Sequence, residues 1–360
     1  MLLGIETAHP PFKVDQITAA EKLKQRMATR PAIARLIDAA AQHSGIDSRY
    51  IVIPDADDDT TNHFYAVSVN GIAPDTKSRM LEYKKWASEL SISAVEKLLA
   101  STGISADKIN KLITISCTGF YAPGLDYDLI KHLGLKKDIK RTNIGFMGCA
   151  ASLVGFNTVL DALNSDEDSD ILMISVELCS LHLQTEPTRD NILANMIFAD
   201  GAAAALFTNR NHEPNKLRII KTHSMLFENS SSVMGWEIGN TGFLMNLSSD
   251  LPKLISEFAV PQIIKFLKDN EISIDEINYW ALHPGGRAIL DALQNGLCLS
   301  EEKMKHSREV LREYGNLSSA SILFVLNNLL QNQKIEKDQL CCAVAFGPGL
   351  TMEVVILKGT

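Results

Sequence analysis

Short, β-branched runs at a repeated spacing constrain this chain most. Leu112-Ile113-Thr114-Ile115, within 111–117, and Ile171-Leu172-Met173-Ile174-Ser175-Val176, within 170–176, lie about sixty residues apart. Each is too short and too continuously apolar for an amphipathic helix and reads as a buried strand. A third such run covers 202–207. The second half repeats the order: 279–282, 340–346 and 350–357 read as strands, the first two again about sixty residues apart. Helices are expected over 287–297 and 319–331, and in the first half over 18–42, 80–102 and the apolar stretch 153–163. Repetition on this scale predicts a doubled α/β unit with its site at the junction. The halves are expected at 1–210 and 211–360, joined through 209–215, which is rich in Asn, Arg and Pro. A chain of 360 residues is long enough for two cores.

Charge and cysteine usage exclude several classes. The net charge of −8 argues against nucleic acid or an anionic membrane as the main partner. No basic leader with a following apolar stretch opens the chain, and no apolar run approaches the ~20 residues of a membrane span. The best candidate, 320–326, stops at Asn327-Asn328. None of the six cysteines falls in a CxxC pair, so reduced thiols in the cytoplasm are expected. The nine histidines form no HExxH, and no metal site is expected. The acidic stretch 55–59 lacks a glycine at calcium-loop spacing and reads as a solvated loop.

Three residues stand at the edges of buried elements. Cys149 follows Phe146-Met147-Gly148 and precedes the helix over 153–163. A helix N-terminus presents unpaired N–H groups and a positive dipole end, which favour a thiolate. His283 ends the run Tyr279-Trp280-Ala281-Leu282 and enters Pro284-Gly285-Gly286, where the glycines admit close approach of a ligand to the backbone. Asn316 lies in Gly315-Asn316-Leu317-Ser318-Ser319, just before a helix. It is also placed to act as a turn or N-cap residue. Alone, Cys149 would read as a small buried hydrophobe. With His283 and Asn316 in matching settings, the three can meet in one pocket.

These segments resemble the type III polyketide synthases, the chalcone synthase-like enzymes. The likeness is carried by Met147-Gly148-Cys149, His283-Pro284-Gly285-Gly286-Arg287-Ala288-Ile289-Leu290, Gly315-Asn316-Leu317-Ser318-Ser319 and Phe346-Gly347-Pro348-Gly349-Leu350-Thr351-Met352-Glu353. It runs from about residue 11 to the C-terminus. The resemblance implies the thiolase fold, two α/β units in α-β-α-β-α layers, in a homodimer. It implies Cys149 as acyl acceptor, with His283 and Asn316 donating to the enolate left when a malonyl thioester loses carbon dioxide. A glutamate base would point to non-decarboxylative condensation; with His283 and Asn316 instead, and no second cysteine in a thiolase-like setting, decarboxylative condensation is favoured. Neither a metal nor an organic cofactor is implied. Malonyl-CoA and an acyl starter, on CoA or on a carrier protein, are the expected substrates.

The resemblance also assigns substrate-binding positions. Phe198 is the gatekeeper between pocket and CoA tunnel. Met245 stands at a second gatekeeper position, with Phe243 as its aromatic neighbour. Cys117, Cys179, His182, Met234, Trp236 and Ser318 fall where the elongation cavity is lined, and Trp236 should narrow it. Cys117 and Cys179 are similar to positions in the tetrahydroxynaphthalene synthases. Gly285, Gly286 and Ala288 are expected along the substrate path, and Ala122 next to the partner subunit's site. The basic cluster that grips CoA is replaced by Leu36, Ala39 and His43, with Arg30 and Arg35 as nearby substitutes. A single-round ketoacyl synthase, or a silent thiolase-fold subunit, would share part of this pattern.

Overall fold

Side-chain alternation along the strands decides how the layers stack. The computed structural model describes residues 1–27, 30–53, 64–65, 73–165, 169–210 and 217–360. The strands are β1 (Leu2–Ala8), β2 (Phe12–Asp15), β3 (Ser48–Ile51), β4 (Lys111–Ser116), β5 (Lys140–Gly145), β6 (Asp170–Leu178), β7 (Asp200–Thr208), β8 (Leu217–Leu226), β9 (Met234–Gly239), β10 (Gly242–Leu247), β11 (Ile277–Leu282), β12 (Leu340–Gly347) and β13 (Thr351–Gly359). The helices are α1 (Gln16–Met27), α2 (Pro31–His43), α3 (Thr76–Thr102), α4 (Leu125–Leu133), α5 (Ala151–Ser165), α6 (Arg189–Ile197), α7 (Leu251–Leu254), α8 (Val260–Asp269), α9 (Arg287–Gly296), α10 (Glu301–Tyr314) and α11 (Ser321–Asn332).

The main sheet runs β11-β12-β13-β8-β1-β7-β6-β4-β5. Within it two runs share one pattern. From β4 through β6 and β7 to β1 the neighbours are parallel, antiparallel and antiparallel. From β11 through β12 and β13 to β8 the senses are the same. The runs meet at a single pairing, Leu2 with Leu217. One face of both runs closes on α5 and α11: Ile113, Met173 and Ala203 from the first run share a core with Ala281, Ala343 and Val355 from the second. The opposite face of the first run, Leu112, Leu172 and Ala204, packs under α3 through Ala87, Ala94 and Leu98. The opposite face of the second, Trp280, Val344 and Val354, packs under α8 and α9 through Ile263 and Leu290. The layers are therefore helix, strand, helix, strand, helix, the thiolase architecture.

The middle layer is tight because α5 carries Gly155. A Cβ there would lie 2.6 Å from Met173 Sδ and 2.8 Å from an Ile115 methyl. Close packing of α5 on β4 and β6 fixes where the N-terminus of α5 points.

One expected element is corrected. The helix over 18–42 is two helices, α1 and α2, with Pro31 opening the second. Proline lacks the N–H that would continue a helix and suits its first position. The acidic stretch 55–59 lies outside the described residues, as do 211–215 of the expected linker.

Candidate active site

A tight 3-10 turn, Gly148–Ala150, puts Cys149 at the mouth of α5. Gly148 is required twice over. Its φ is +63°, and a Cβ would sit 2.1 Å from Pro348 Cδ in the β12–β13 turn. Ser152 Oγ donates to Ser319 O at 2.6 Å and ties α5 to the turn that precedes α11. Asn316 sits at the start of that segment. Its backbone pairs with the Phe198 segment: Asn316 N–H donates to Ile197 O, and Ala199 N–H to Asn316 O, both at 2.9 Å. Asn316 Oδ1 accepts from Ser318 N–H at 2.8 Å and Ser321 Oγ at 3.3 Å, while Nδ2 donates to Gly285 O at 3.3 Å. Asn316 thus links the Phe198 segment through its backbone, and the Ser318–Ser321 turn and the His283 loop through its amide.

His283 leaves β11 with its N–H on Val344 O and its carbonyl accepting from Gly285 N–H, both 2.9 Å. The residue is 2 % exposed, and neither ring nitrogen has a hydrogen-bond partner. No bond joins it to Cys149, whose Sγ–H donates to Ser318 Oγ at 3.5 Å.

Burial dominates the electrostatics and reverses the thiolate expectation. The Cys149 thiol is pushed up to about 12, first by loss of water; the Ser318 bond pulls it down, the Glu177 carboxylate pushes it up, and the Asn316 bond pulls it down. Burial also pushes His283 down to about 3. Burial thus favours the neutral form of both groups. A neutral imidazole keeps one N–H donor and one basic nitrogen.

Seven of the expected cavity residues converge. Cys117, Cys179, Phe198, Met234, Trp236, Met245 and Ser318 line one cavity with Cys149 and Pro348, and it leaves only about 20 Å³ free. Met245, not Phe243, faces it. Gly285, Gly286 and Ala288 line a second cavity of about 390 Å³, together with Leu36, Ala39 and His43. The guanidinium-bearing residues of that lining are Arg189 and Arg287, not Arg30 or Arg35.

His182 is the position that departs. It pins the β9–β10 hairpin and does not line the cavity. Nδ1 accepts from Phe243 N–H at 2.9 Å, which leaves Nε2–H to donate to Thr118 O at 2.7 Å. The ring stacks on Phe243 at 4.1 Å and meets Trp236 edge-on at 5.4 Å. Trp236 Nε1 in turn donates to Cys117 O at 2.8 Å. Burial pushes His182 down to about 3.

These two buried histidines give a pH prediction. The folded state keeps both rings neutral, while the unfolded chain takes up protons below its ordinary histidine value. Stability is therefore lost as pH falls from about 6.5 toward 3. Asp200, pushed up to about 6 by burial, works the other way, because the folded state protonates first. Two histidines at about 2 kcal/mol each outweigh one aspartate at about 1 kcal/mol at pH 5. Urea unfolding should thus show a loss of about 2 to 3 kcal/mol between pH 7 and 5. His182→Asn should flatten that slope. An unchanged slope would mean that His182 is already protonated in the fold.

Two features escape the sequence reading. Glu177 is a fully buried carboxylate at the end of β6, accepting from Cys117 N–H at 3.0 Å and Thr118 Oγ1 at 2.8 Å, and from Ser319 Oγ. Its only sequence signal is one acidic residue in an apolar stretch, two residues before Cys179. Arg49 is also buried, donating to the Asn195 and Phe198 carbonyls at 2.7 and 2.6 Å. Among the described residues no group of three His, Cys, Asp or Glu side chains is placed to hold a metal ion, and no helix is long and apolar enough to cross a membrane.

A cysteine at the mouth of a middle-layer helix, tied through Ser318 and Ser319 to the turn that carries Asn316, between two like-ordered sheet runs, fits a condensing enzyme of the thiolase fold. The comparisons make this specific. Residues 63–255 match the model of the FAE1/Type III polyketide synthase-like proteins, and 218–360 that of the chalcone and stilbene synthases' C-terminal domain. The chain belongs to the type III polyketide synthase family. It is 29% identical over 356 residues to the alpha-pyrone synthesis polyketide synthase-like Pks18 of Mycobacterium tuberculosis, covering 97% of this chain and 88% of that one. It is 31% identical over 274 residues to the 1,3,6,8-tetrahydroxynaphthalene synthase of Streptomyces peucetius, covering 75% and 72%. The crystal structure of PKS-I from the brown alga Ectocarpus siliculosus superposes with a TM-score of 0.93 at 32% identity, over 100% of this chain and 98% of that one.

Proposed function

We propose that the protein condenses malonyl-CoA iteratively onto an acyl thioester starter and cyclises the chain to a pyrone or phenol. The observation that carries this reading is the Asn316 amide, which accepts from Ser318 N–H, the residue whose Oγ meets Cys149 Sγ, and donates to Gly285 O in the loop of His283, whose ring nitrogens have no partner. In the loading step the basic His283 nitrogen takes the Cys149 proton as sulfur attacks the starter carbonyl. The same proton leaves on the departing CoA thiolate, so charge balances and no stable thiolate is needed. Malonyl-CoA then loses carbon dioxide, and the enolate oxygen accepts from the His283 N–H and Asn316 Nδ2. Its carbon attacks the Cys149 thioester, expelling the thiolate for the next round. Donors fixed in a buried site gain most as negative charge develops. The Phe198 and Met245 wall disfavours a carboxylate, which aids its loss. Thioesters supply the activation, so the scheme calls on no metal or organic cofactor.

The halves 1–210 and 211–360 divide the work, the first holding the nucleophile and the second the enolate donors. Arg189 and Arg287 are assigned to the substrate's phosphate at the mouth of the larger cavity, where Leu36 and Ala39 carry no charge. This suits CoA or a carrier's phosphopantetheine arm. The enzyme is read as a cytoplasmic homodimer. Support comes from edge strand β5 and the exposed Phe120, Met147 and Ile238, apolar surface that a second copy would cover, with Ala122 in the same loop as Phe120.

The test is a mass-spectrometric product screen. Malonyl-CoA is supplied alone and with acetyl, long-chain and aromatic starters. Multi-round pyrones or phenols support the proposal; linear products of one condensation would point to a ketoacyl synthase. Trp236→Gly gives a sharper prediction. Removing an indole from a cavity with about 20 Å³ free should yield longer products or admit bulkier starters. An unchanged profile would remove Trp236 as the volume limit.

A further inference from the structure

We infer that Arg49 is a positioning residue, which together with Gln16 fixes Phe198 and Asn316 relative to each other through the end of α6; the role rests on the condensing reaction proposed above. A helix end leaves its last carbonyls without partners inside the helix. In α6 the ladder stops at Phe198 N–H, which donates to Ala194 O at 3.1 Å, while Ala199 N–H turns away to Asn316 O. The carbonyls of Asn195, Met196, Ile197 and Phe198 are each met from another segment. Arg49 Nη1, on β3, donates to Asn195 O at 2.7 Å and to Phe198 O at 2.6 Å. Gln16 Nε2, at the start of α1, donates to Met196 O at 2.7 Å. Asn316 N–H supplies Ile197 O at 2.9 Å.

One side chain organises this cap. Arg49 Nε–H donates to Gln16 Oε1 at 3.0 Å, which orients the Gln16 amide so that its N–H meets Met196 O. Nη1 spans from the last turn of α6 to the first residue beyond it, so it sets the angle at which the chain leaves the helix toward Asn316. The arginine stem also packs beside Asn316. A Cβ on Gly315, whose φ is +72°, would lie 2.9 Å from Arg49 Cγ and 2.8 Å from Ile197 O. Arg49 therefore touches both sides of the Phe198–Asn316 bridge. Burial lowers its guanidinium to about 10 and Asp200 raises it, so it is charged at neutral pH, a cation at the negative end of a helix dipole. Phe198 walls the malonyl carboxylate and Asn316 Nδ2 donates to the enolate in the proposed reaction, so the spacing between them governs decarboxylation. Cys149 and His283 are held by other bonds.

Arg49→Lys tests this. It keeps the charge but replaces a planar fork by a point donor, which cannot serve Gln16 and both carbonyls at once. Two rates are measured on the same sample: carbon dioxide release from malonyl-CoA, and single-turnover CoA release as acetyl-CoA loads Cys149 with no malonyl-CoA present. The first should fall at least about tenfold, since a small displacement of a reacting group is enough. The second should stay within about threefold of wild type. Gln16→Met removes the Met196 bond and leaves Arg49 in place, so it keeps the test open if Arg49→Lys does not fold; it should show the same split, about threefold or more. Loss of folded enzyme lowers both rates by one factor. Equal falls, no fall, or a fall confined to loading would overturn the positioning role and leave the condensing reaction standing. A wild-type enzyme that releases no carbon dioxide from malonyl-CoA would overturn the condensing reaction itself.

Discussion

Cys149→Ala should abolish polyketide formation, at least about a thousandfold, while carbon dioxide release from malonyl-CoA continues. The separation follows from which elements hold which group. Asn316 is fixed by Ser318 N–H, Ser321 Oγ and the backbone pairing with the Phe198 segment. His283 is fixed by Val344 and Gly285. None of these bonds passes through Cys149 Sγ, so an alanine leaves both groups proposed as enolate donors where they are. What disappears is the acceptor for the acyl group. Labelled carbon dioxide and acetyl-CoA, measured beside polyketide product, check this. Decarboxylation that stops with condensation would mean that enolate formation depends on the acyl-enzyme, and the division of roles would fail. Asn316→Ala should show the opposite pattern: it removes an enolate donor, so decarboxylation and condensation fall together.

The residues of the candidate site were legible because each sits where a secondary element ends. Gly148 before Cys149, Pro284-Gly285-Gly286 after His283 and Gly315 before Asn316 are backbone signals, and the backbone is where sequence speaks most directly. The strands could be read for a related reason: β4, β6 and β7 are almost wholly buried on both faces, so apolar residues occupy most positions of each in succession. Pro31 showed where one helix becomes two, yet the amphipathic period runs on across it and hid the break. The titration of Cys149 was not legible. A helix terminus favours the thiolate, but complete loss of water outweighs it, and burial depends on the whole fold. His182 was misplaced for a related reason. Its position along the chain matches a cavity-lining one, while two hydrogen bonds turn its ring to hold the hairpin. Cavity volume is set by rotamers such as that of Trp236, which no spacing of residues encodes.

Glu177→Ala should be the most destabilising single change near the site, by about 3 to 5 kcal/mol. The carboxylate accepts from Cys117 N–H, Thr118 Oγ1 and Ser319 Oγ, all buried. Removing it orphans these donors at about 1 to 3 kcal/mol each, which exceeds the desolvation cost that its absence relieves. Glu177→Gln keeps one acceptor oxygen and should cost less, so the order wild type, Gln, Ala in urea midpoints identifies hydrogen bonding as the cause. The same pair reports on charge. Burial raises the Glu177 pKa while its donors lower it, and its negative charge pushes the Cys149 thiol up. Glu177→Gln removes the charge and nearly preserves the shape, so Cys149 should react severalfold faster with iodoacetamide at pH 8. Equal rates would show that the carboxyl is neutral at that pH, with its burial outweighing the donors. Faster alkylation would show that an ionised Glu177 restrains the thiol: the network that holds the floor of the cavity also keeps the resting nucleophile protonated until substrate and His283 draw the proton away.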